Sequence, residues 1–143
     1  MSKPNLPAGF EAYVEPNFMG HIGPLYWRVE GKRVELGALI QPHQCNPTGV
    51  AHGGFLMSLV DVTMGINSAR AVGHDGVITT VQLTSNMMST ARLGEFVIGA
   101  ATIETSTRTL TFAAGRLQVG DRTILTASAV FRNPPGFDPK QAR

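Results

Sequence analysis

His52-Gly53-Gly54-Phe55-Leu56-Met57-Ser58-Leu59-Val60-Asp61-Val62-Thr63-Met64-Gly65-Ile66-Asn67-Ser68-Ala69-Arg70-Ala71-Val72-Gly73 is the stretch on which the fold turns. It contains no proline, and Gly73 suits the left-handed position that ends a helix. The pattern predicts one helix of about five turns. On a wheel of about 100° per residue, Phe55, Leu59, Val62 and Ile66 share one face. Leu56, Met57, Val60 and Met64 cover most of the rest. A helix apolar nearly all round belongs inside a protein. Before Arg70 its only charge is Asp61.

Downstream of this helix the periodicity changes. Val77 to Met88, Glu95 to Thr105, Arg108 to Val119 and Arg122 to Arg132 are rich in Val, Ile, Thr and Phe and read as strands. Breaks fall at Leu93-Gly94, Ser106-Thr107 and Gly120-Asp121, the last a hairpin signal. Upstream, Leu25 to Val29 and Val34 to Ile40 flank Gly31-Lys32 as a second hairpin. Gln41 to Gly49 is a loop. Residues 1–24 are broken by Pro and Gly, with one short helix expected near Phe10 to Phe18. Short connections and no second long helix imply antiparallel order. The fold class is α+β: a long central helix wrapped by an antiparallel sheet of five to six strands.

At 143 residues the chain is one domain, residues 1–143, with an N-terminal extension (1–22) and a Pro-rich C-terminal tail (134–143) outside the core. Charged residues make up only 15%, against about 25% in ordinary soluble proteins. That shortfall points to a surface partly covered by other subunits. A net charge of +2 together with 43% hydrophobic residues excludes a disordered chain, and no apolar run is long enough to span a membrane. The arginines are scattered without interleaved aromatics, which argues against nucleic acid; a mild positive balance suits a small anionic ligand. The lone Cys45 and the absence of an apolar leader at Met1 to Pro7 suggest a cytoplasmic protein.

Asp61 stands out because a buried carboxylate is costly without partners. Gly54, Ser58, Gly65 and Ser68 all fall within about 60° of it on the wheel. This stripe reads either as a slot for an extended ligand or subunit, or as a close helix crossing with a structural acid. His52-Gly53-Gly54 opens the helix, where four backbone N–H groups lack intrahelical partners. Two glycines there leave the amides unobstructed, and the helix dipole favours an oxygen that becomes negative.

Asn46-Pro47-Thr48-Gly49-Val50-Ala51-His52-Gly53-Gly54 followed by Ser58-Leu59-Val60-Asp61 resembles the N-x-x-G-x-x-H-G-G-(x)6-D signature of hotdog-fold thioesterases, the phenylacetate-degradation (PaaI-like) group in particular. Thr80-Val81-Gln82-Leu83, Leu93-Gly94-Glu95 and Gly23-Pro24-Leu25-Tyr26 are similar to further segments of that group, so the likeness runs from Gly23 to Arg132. It implies acyl-CoA thioester hydrolysis in a homodimer that assembles to a homotetramer, with sites between subunits. It implies further that the Gly53 amide and Asn46 polarise the carbonyl. Asp61 would be general base or nucleophile, Thr80 would help place the water or carboxylate, and His52 would orient the loop. Gly54, Ser58 and Arg108 are the expected substrate contacts, Arg108 toward a CoA phosphate. Neither a metal nor a separate cofactor is required; coenzyme A arrives as part of the substrate. The chain departs from the group at Thr90, where proline is common, and at Met87 and Met88, where aromatics are.

On the chemistry, a thioester carbonyl is electrophilic and a thiolate leaves readily, so the protein must stabilise an oxyanion and aim a water. Thr79 and Thr80 are adjacent, and on a strand only one faces the site; the register against Leu93-Gly94 favours Thr80. Met57, Met64, Met87 and Met88 read as core, with an adaptable acyl pocket as the other use. Rival readings are weaker. His43 and Cys45 could form a thiol–base pair, whereas His21, His43, His52 and His74 lack zinc-ligand spacing. A non-catalytic acyl-CoA binding protein or scaffold of the same fold is the main alternative, but pure binding gains nothing from an acid beside an anionic ligand.

Overall fold

In the computed structural model, which describes residues 2–141, the decisive stretch is helix α2, Gly53–Ala71. Before it come β1 (Glu11–Tyr13), the short α1 (Phe18–Ile22), β2 (Leu25–Glu30), β3 (Arg33–Leu39) and a 3-10 turn at Pro42–Gln44. After it come β4 (Thr79–Met87), β5 (Phe96–Ser106), β6 (Leu110–Val119) and β7 (Arg122–Arg132). All strands pair antiparallel in the order β1-β2-β3-β5-β6-β7-β4. The six strands expected from sequence are present, and a short seventh, β1, extends one edge. Gly73 (φ 68°) ends α2 in the left-handed conformation. No described helix is long and apolar enough to cross a membrane.

The expected helix near Phe10 to Phe18 is a correction. Tyr13 lies in β1 with its ring edge-on to Trp27 of β2, and Phe10 packs edge-on against Phe96. Proline at 16 disfavours a helical Glu15. Glu15 instead turns its carboxylate onto the Asn17 and Met19 amides (2.8 and 2.9 Å), so the helix begins only at Phe18.

Helix α2 lies on one face of the sheet and touches β3 through β7. Leu59, Val60, Thr63 and Met64 are completely buried there, with Leu36, Ile40, Val97, Leu117, Ile124 and Leu125 opposite. Each fully buried aliphatic side chain contributes about 1.5–3 kcal/mol relative to exposure. The approach is close because β5 and β6 present glycine to the helix. A Cβ at Gly99 would sit 2.7 Å from Thr63 Oγ1, and one at Gly115 2.8 Å from Met64 Cγ.

The opposite face of α2 is not covered. Met57 is exposed, and Ser58, Asp61, Val62, Gly65 and Ile66 are only half-buried. Of the four methionines read as core, Met64 alone is there; Met57, Met87 and Met88 are on the surface. The helix that reads as buried all round is therefore buried on one side of the single chain.

Candidate active site

The loop before α2 is built to hold its first turn. Gln44, 3% exposed, accepts from the Gln41 amide and donates to Ile22 O (both 2.9 Å), and its own carbonyl receives the His52 amide at 2.8 Å. The Ala51 amide bonds Ala91 O at 2.7 Å, tying the loop to the turn before β5. That turn is fixed in its own right: Glu95 accepts from the Arg92 amide (2.8 Å) and from Arg122 (2.6 Å). These donors hold the Glu95 carboxyl below the usual glutamate range, the Arg92 amide contributing most.

Asn46 turns its side-chain oxygen inward, where it accepts from the Thr48 amide (2.9 Å) and hydroxyl (2.7 Å). Among the described residues its Nδ2 makes no hydrogen bond, so both of its protons are left for a ligand. At the helix start His52 is the N-cap, and its Nδ1 accepts from the Gly54 amide at 2.8 Å. The imidazole thus has a positioning use already. The Gly53 amide has no partner among the described residues and sits at the positive end of the helix dipole. A Cβ at Gly53 would lie 2.8 Å from Met87 Cε, so Met87 at the end of β4 leans over this turn.

Two turns along the helix, Asp61 Oδ1 accepts from Thr80 Oγ1 at 2.7 Å. Thr80 is brought inward by a bulge: Thr80 pairs with Phe131 and the next pair is Gln82 with Val130, which leaves Val81 unpaired. The bulge keeps Thr80 toward α2 while Leu83, one residue out of alternation, also packs on the core. Thr79 is exposed and faces away.

Asp61 and Thr80 line a cavity of about 260 Å³ that is otherwise mostly apolar, with Tyr13, Phe18, Met19 and Phe131 in its walls. A second cavity of about 390 Å³ lies toward the helix start and includes His52, Gly54, Phe55 and Ser58. Burial raises the Tyr13 phenol above its ordinary range, and the nearby Glu15 charge adds to this. The tyrosine is therefore a neutral donor at the rim.

The single chain brings Asn46, His52 and Gly53 to one end of α2 and pairs Asp61 with Thr80, but it does not bring the two groups together. Asp61 lies eight residues beyond Gly53 along the helix, a rise of about 12 Å. The small-residue stripe is also divided. Gly54, Ser58 and Gly65 line the cavities, whereas Ser68 is fully buried; the Ser58 hydroxyl donates back to Gly54 O at 2.9 Å.

Arg108 is exposed in the β5–β6 turn and lines a cleft of about 780 Å³ with Arg132 and Lys140. Arg132 is the register partner of Thr79, next to the Asp61–Thr80 pair. His43 and Cys45 do not pair with each other: His43 Nε2 meets Gly23 O at 2.6 Å and the thiol meets Gln41 O at 3.4 Å. Sequence reading missed Tyr13, Phe18 and Met19. Their signal was a set of large apolar side chains in an extension with no core of its own.

Residues 48–129 match the family described as Thioesterase superfamily. A Pseudomonas aeruginosa protein with a provisional esterase name is 31% identical over 132 residues, spanning 91% of this chain and 98% of that protein. Among solved structures, a hypothetical thioesterase of Streptococcus pneumoniae, determined with coenzyme A, superposes with a TM-score of 0.68 at 17% identity over 86% of this chain and 94% of that one. A mutant of the phenylacetic acid degradation protein PaaI from Thermus thermophilus superposes with a TM-score of 0.69 at 14% identity, over 77% of this chain and 93% of that one. These two likenesses are of fold. With the family match running across the whole of α2, β4, β5 and β6, and a relative aligned along nearly its full length, the chain belongs to the thioesterase superfamily and has the hotdog fold.

Proposed function

We propose that the protein hydrolyses acyl-CoA thioesters to the free acid and CoA. The observation that carries this reading is the Asp61 carboxylate: the one acid of α2, held by the Thr80 hydroxyl at 2.7 Å on the rim of an apolar cavity. A base so placed can draw a proton from water as it attacks the carbonyl and CoA leaves as the thiolate, or attack directly, expelling the CoA thiolate to form a mixed anhydride that water then hydrolyses to the free acid; a positioned base contributes about 10²–10⁴ in rate. The free Gly53 amide and Asn46 Nδ2 are the donors for the developing oxyanion, one such donor being worth about 2.7–4 kcal/mol. Both groups must lie within about 3 Å of the reacting carbonyl. The separation along α2 therefore supports a homodimer in which Gly53 and Asn46 of one subunit face Asp61 and Thr80 of the other.

The free edge of β4 suits that contact, because Val77 is 95% and Val81 54% exposed beside it. Pairing of such dimers into a tetramer is consistent with the low surface charge. Arg108 would meet a CoA phosphate, with Arg132 and Lys140 in the same cleft. A protein acting on CoA esters with a free Cys45 would work in the reducing cytoplasm.

The test is thiol release from a panel of acyl-CoA esters by wild type and by Asp61→Asn, which keeps shape and removes the base. Turnover of at least one ester, with a fall of two or more orders of magnitude in the variant, is expected. Binding of CoA esters without thiol release by wild type would hand the site to a non-catalytic binding role. A monomer in sedimentation at micromolar concentration would sink the shared site.

A further inference from the structure

Among the described residues, Phe18 is the one side chain that lines both cavities along α2, the one beside Asp61 and the one beside His52 and Ser58. We infer that Phe18 is a partition that confines the acyl group to the Asp61 cavity and sets the upper limit on acyl length; this rests on the thioesterase reading above. The Asp61 cavity, at about 260 Å³, is smaller than the 300–1,000 Å³ typical of sites for drug-sized ligands. It suits a compact acyl group, aromatic or short. The neighbouring cavity, at about 390 Å³, is the room a longer chain would need.

The backbone that carries Phe18 is held at both ends of α1. The Glu15 carboxylate accepts from the Asn17 and Met19 amides at the start of α1, at 2.8 and 2.9 Å. At the other end Gln44 Nε2 donates to Ile22 O at 2.9 Å and His43 Nε2 donates to Gly23 O at 2.6 Å. Gln44 and His43 sit on the loop that presents Asn46 and Gly53, so α1 is tied to that loop. Phe18 is itself 61% exposed and is not part of the hydrophobic core, so its removal joins two spaces without excavating the fold.

The experiment is a kcat/KM series on linear acyl-CoA esters from acetyl to palmitoyl, with phenylacetyl-CoA alongside, for wild type, Phe18→Leu and Phe18→Ala. Wild type should lose about tenfold or more between compact and long linear esters, because a few methylenes without space cost that much. Phe18→Ala should raise the ratio of kcat/KM on long chains to kcat/KM on compact esters by about tenfold or more, with Phe18→Leu between them. Melting temperatures within a few degrees of wild type would exclude a folding effect. The inference is overturned if the folded variants keep the wild-type length profile, or if wild type accepts palmitoyl as readily as acetyl. Wild type releasing no thiol from any ester would instead overturn the thioesterase reading, and the inference with it.

Discussion

Truncating Asn67 should be damaging although the residue lies outside the site. Its side-chain amide sits where a strand is missing. The β3–β5 ladder runs only from Leu36 to Leu39, so no β5 residue stands opposite Val34. Asn67, from α2, takes that place: Oδ1 accepts from the Val34 amide at 3.0 Å, and Nδ2 donates to Val34 O and to Thr63 O, both at 2.8 Å. Asn67→Ala removes all three bonds. Thr63 O keeps its ordinary helical partner, so two buried backbone groups are orphaned, each costing about 1–3 kcal/mol. A cleft of about 730 Å³ alongside, bordered by Lys32 and Arg33, lets water reach one of them. The expected loss is therefore about 2–4 kcal/mol, close to 10 °C in Tm for a domain of this size. Urea unfolding at one fixed protein concentration measures it, with m unchanged. Asn67→Asp gives an internal check. It keeps the acceptor for Val34 N–H but sets a carboxylate against two carbonyl oxygens, which raises its folded pKa. Its deficit should shrink as pH falls toward the ordinary aspartate range and the acid becomes a donor. A truncated variant within 1 kcal/mol of wild type would mean that water replaces the amide and that this side chain does not close the sheet.

Gly115→Ala drives a methyl to 2.8 Å from Met64 Cγ and 2.9 Å from Val60 Cγ2, so it should cost about 1–3 kcal/mol in thermal or urea unfolding; an unchanged Tm would show that helix and sheet are not in closed contact there. Glu95→Gln should cost about 1 kcal/mol or less at neutral pH, since its ion pair with Arg122 is partly solvated. Because the folded-state pKa of Glu95 is depressed, its contribution is complete above the unfolded value near 4.3 and is lost as pH falls through the folded value. The Tm gap between wild type and Glu95→Gln must therefore close on acidification, and a constant gap would place the stabilisation elsewhere.

The fold was legible because its main signals are local. An unbroken apolar helix stopped by Gly73, and β-branched runs parted by Gly120-Asp121, each carry their meaning within a few residues. The failures share a different physics. At residues 10–18 the short-range pattern suggested a helix, but Phe10 and Tyr13 are extended because Phe96 and Trp27 are there to receive them. Those partners are distant in sequence, and no local period announces them. The bulge at Val81 is similar. It shifts the alternation of β4 by one residue, and only the pairing with β7 reveals it.

The site divides along the same line. Asn46, His52 and Gly53 were legible because one short loop fixes them through bonds to Thr48, Gly54 and Ala91. The walls around Asp61 were not, since Tyr13, Phe18 and Met19 come from the Pro- and Gly-broken N-terminal extension, where no motif marks them. One excess in the sequence reading points past the single chain. Composition alone called for α2 to be buried on every side, yet Met57, Val62 and Ile66 are left partly open. An apolar face beside a carboxylate is a costly surface to leave to water. The helix sequence would suit two environments, the sheet of its own chain on one side and an apolar partner on the other. A second subunit would satisfy that face and, in the same step, bring Gly53 of one helix to Asp61 of another. The uncovered face and the divided chemistry are, on this reading, one feature of the sequence.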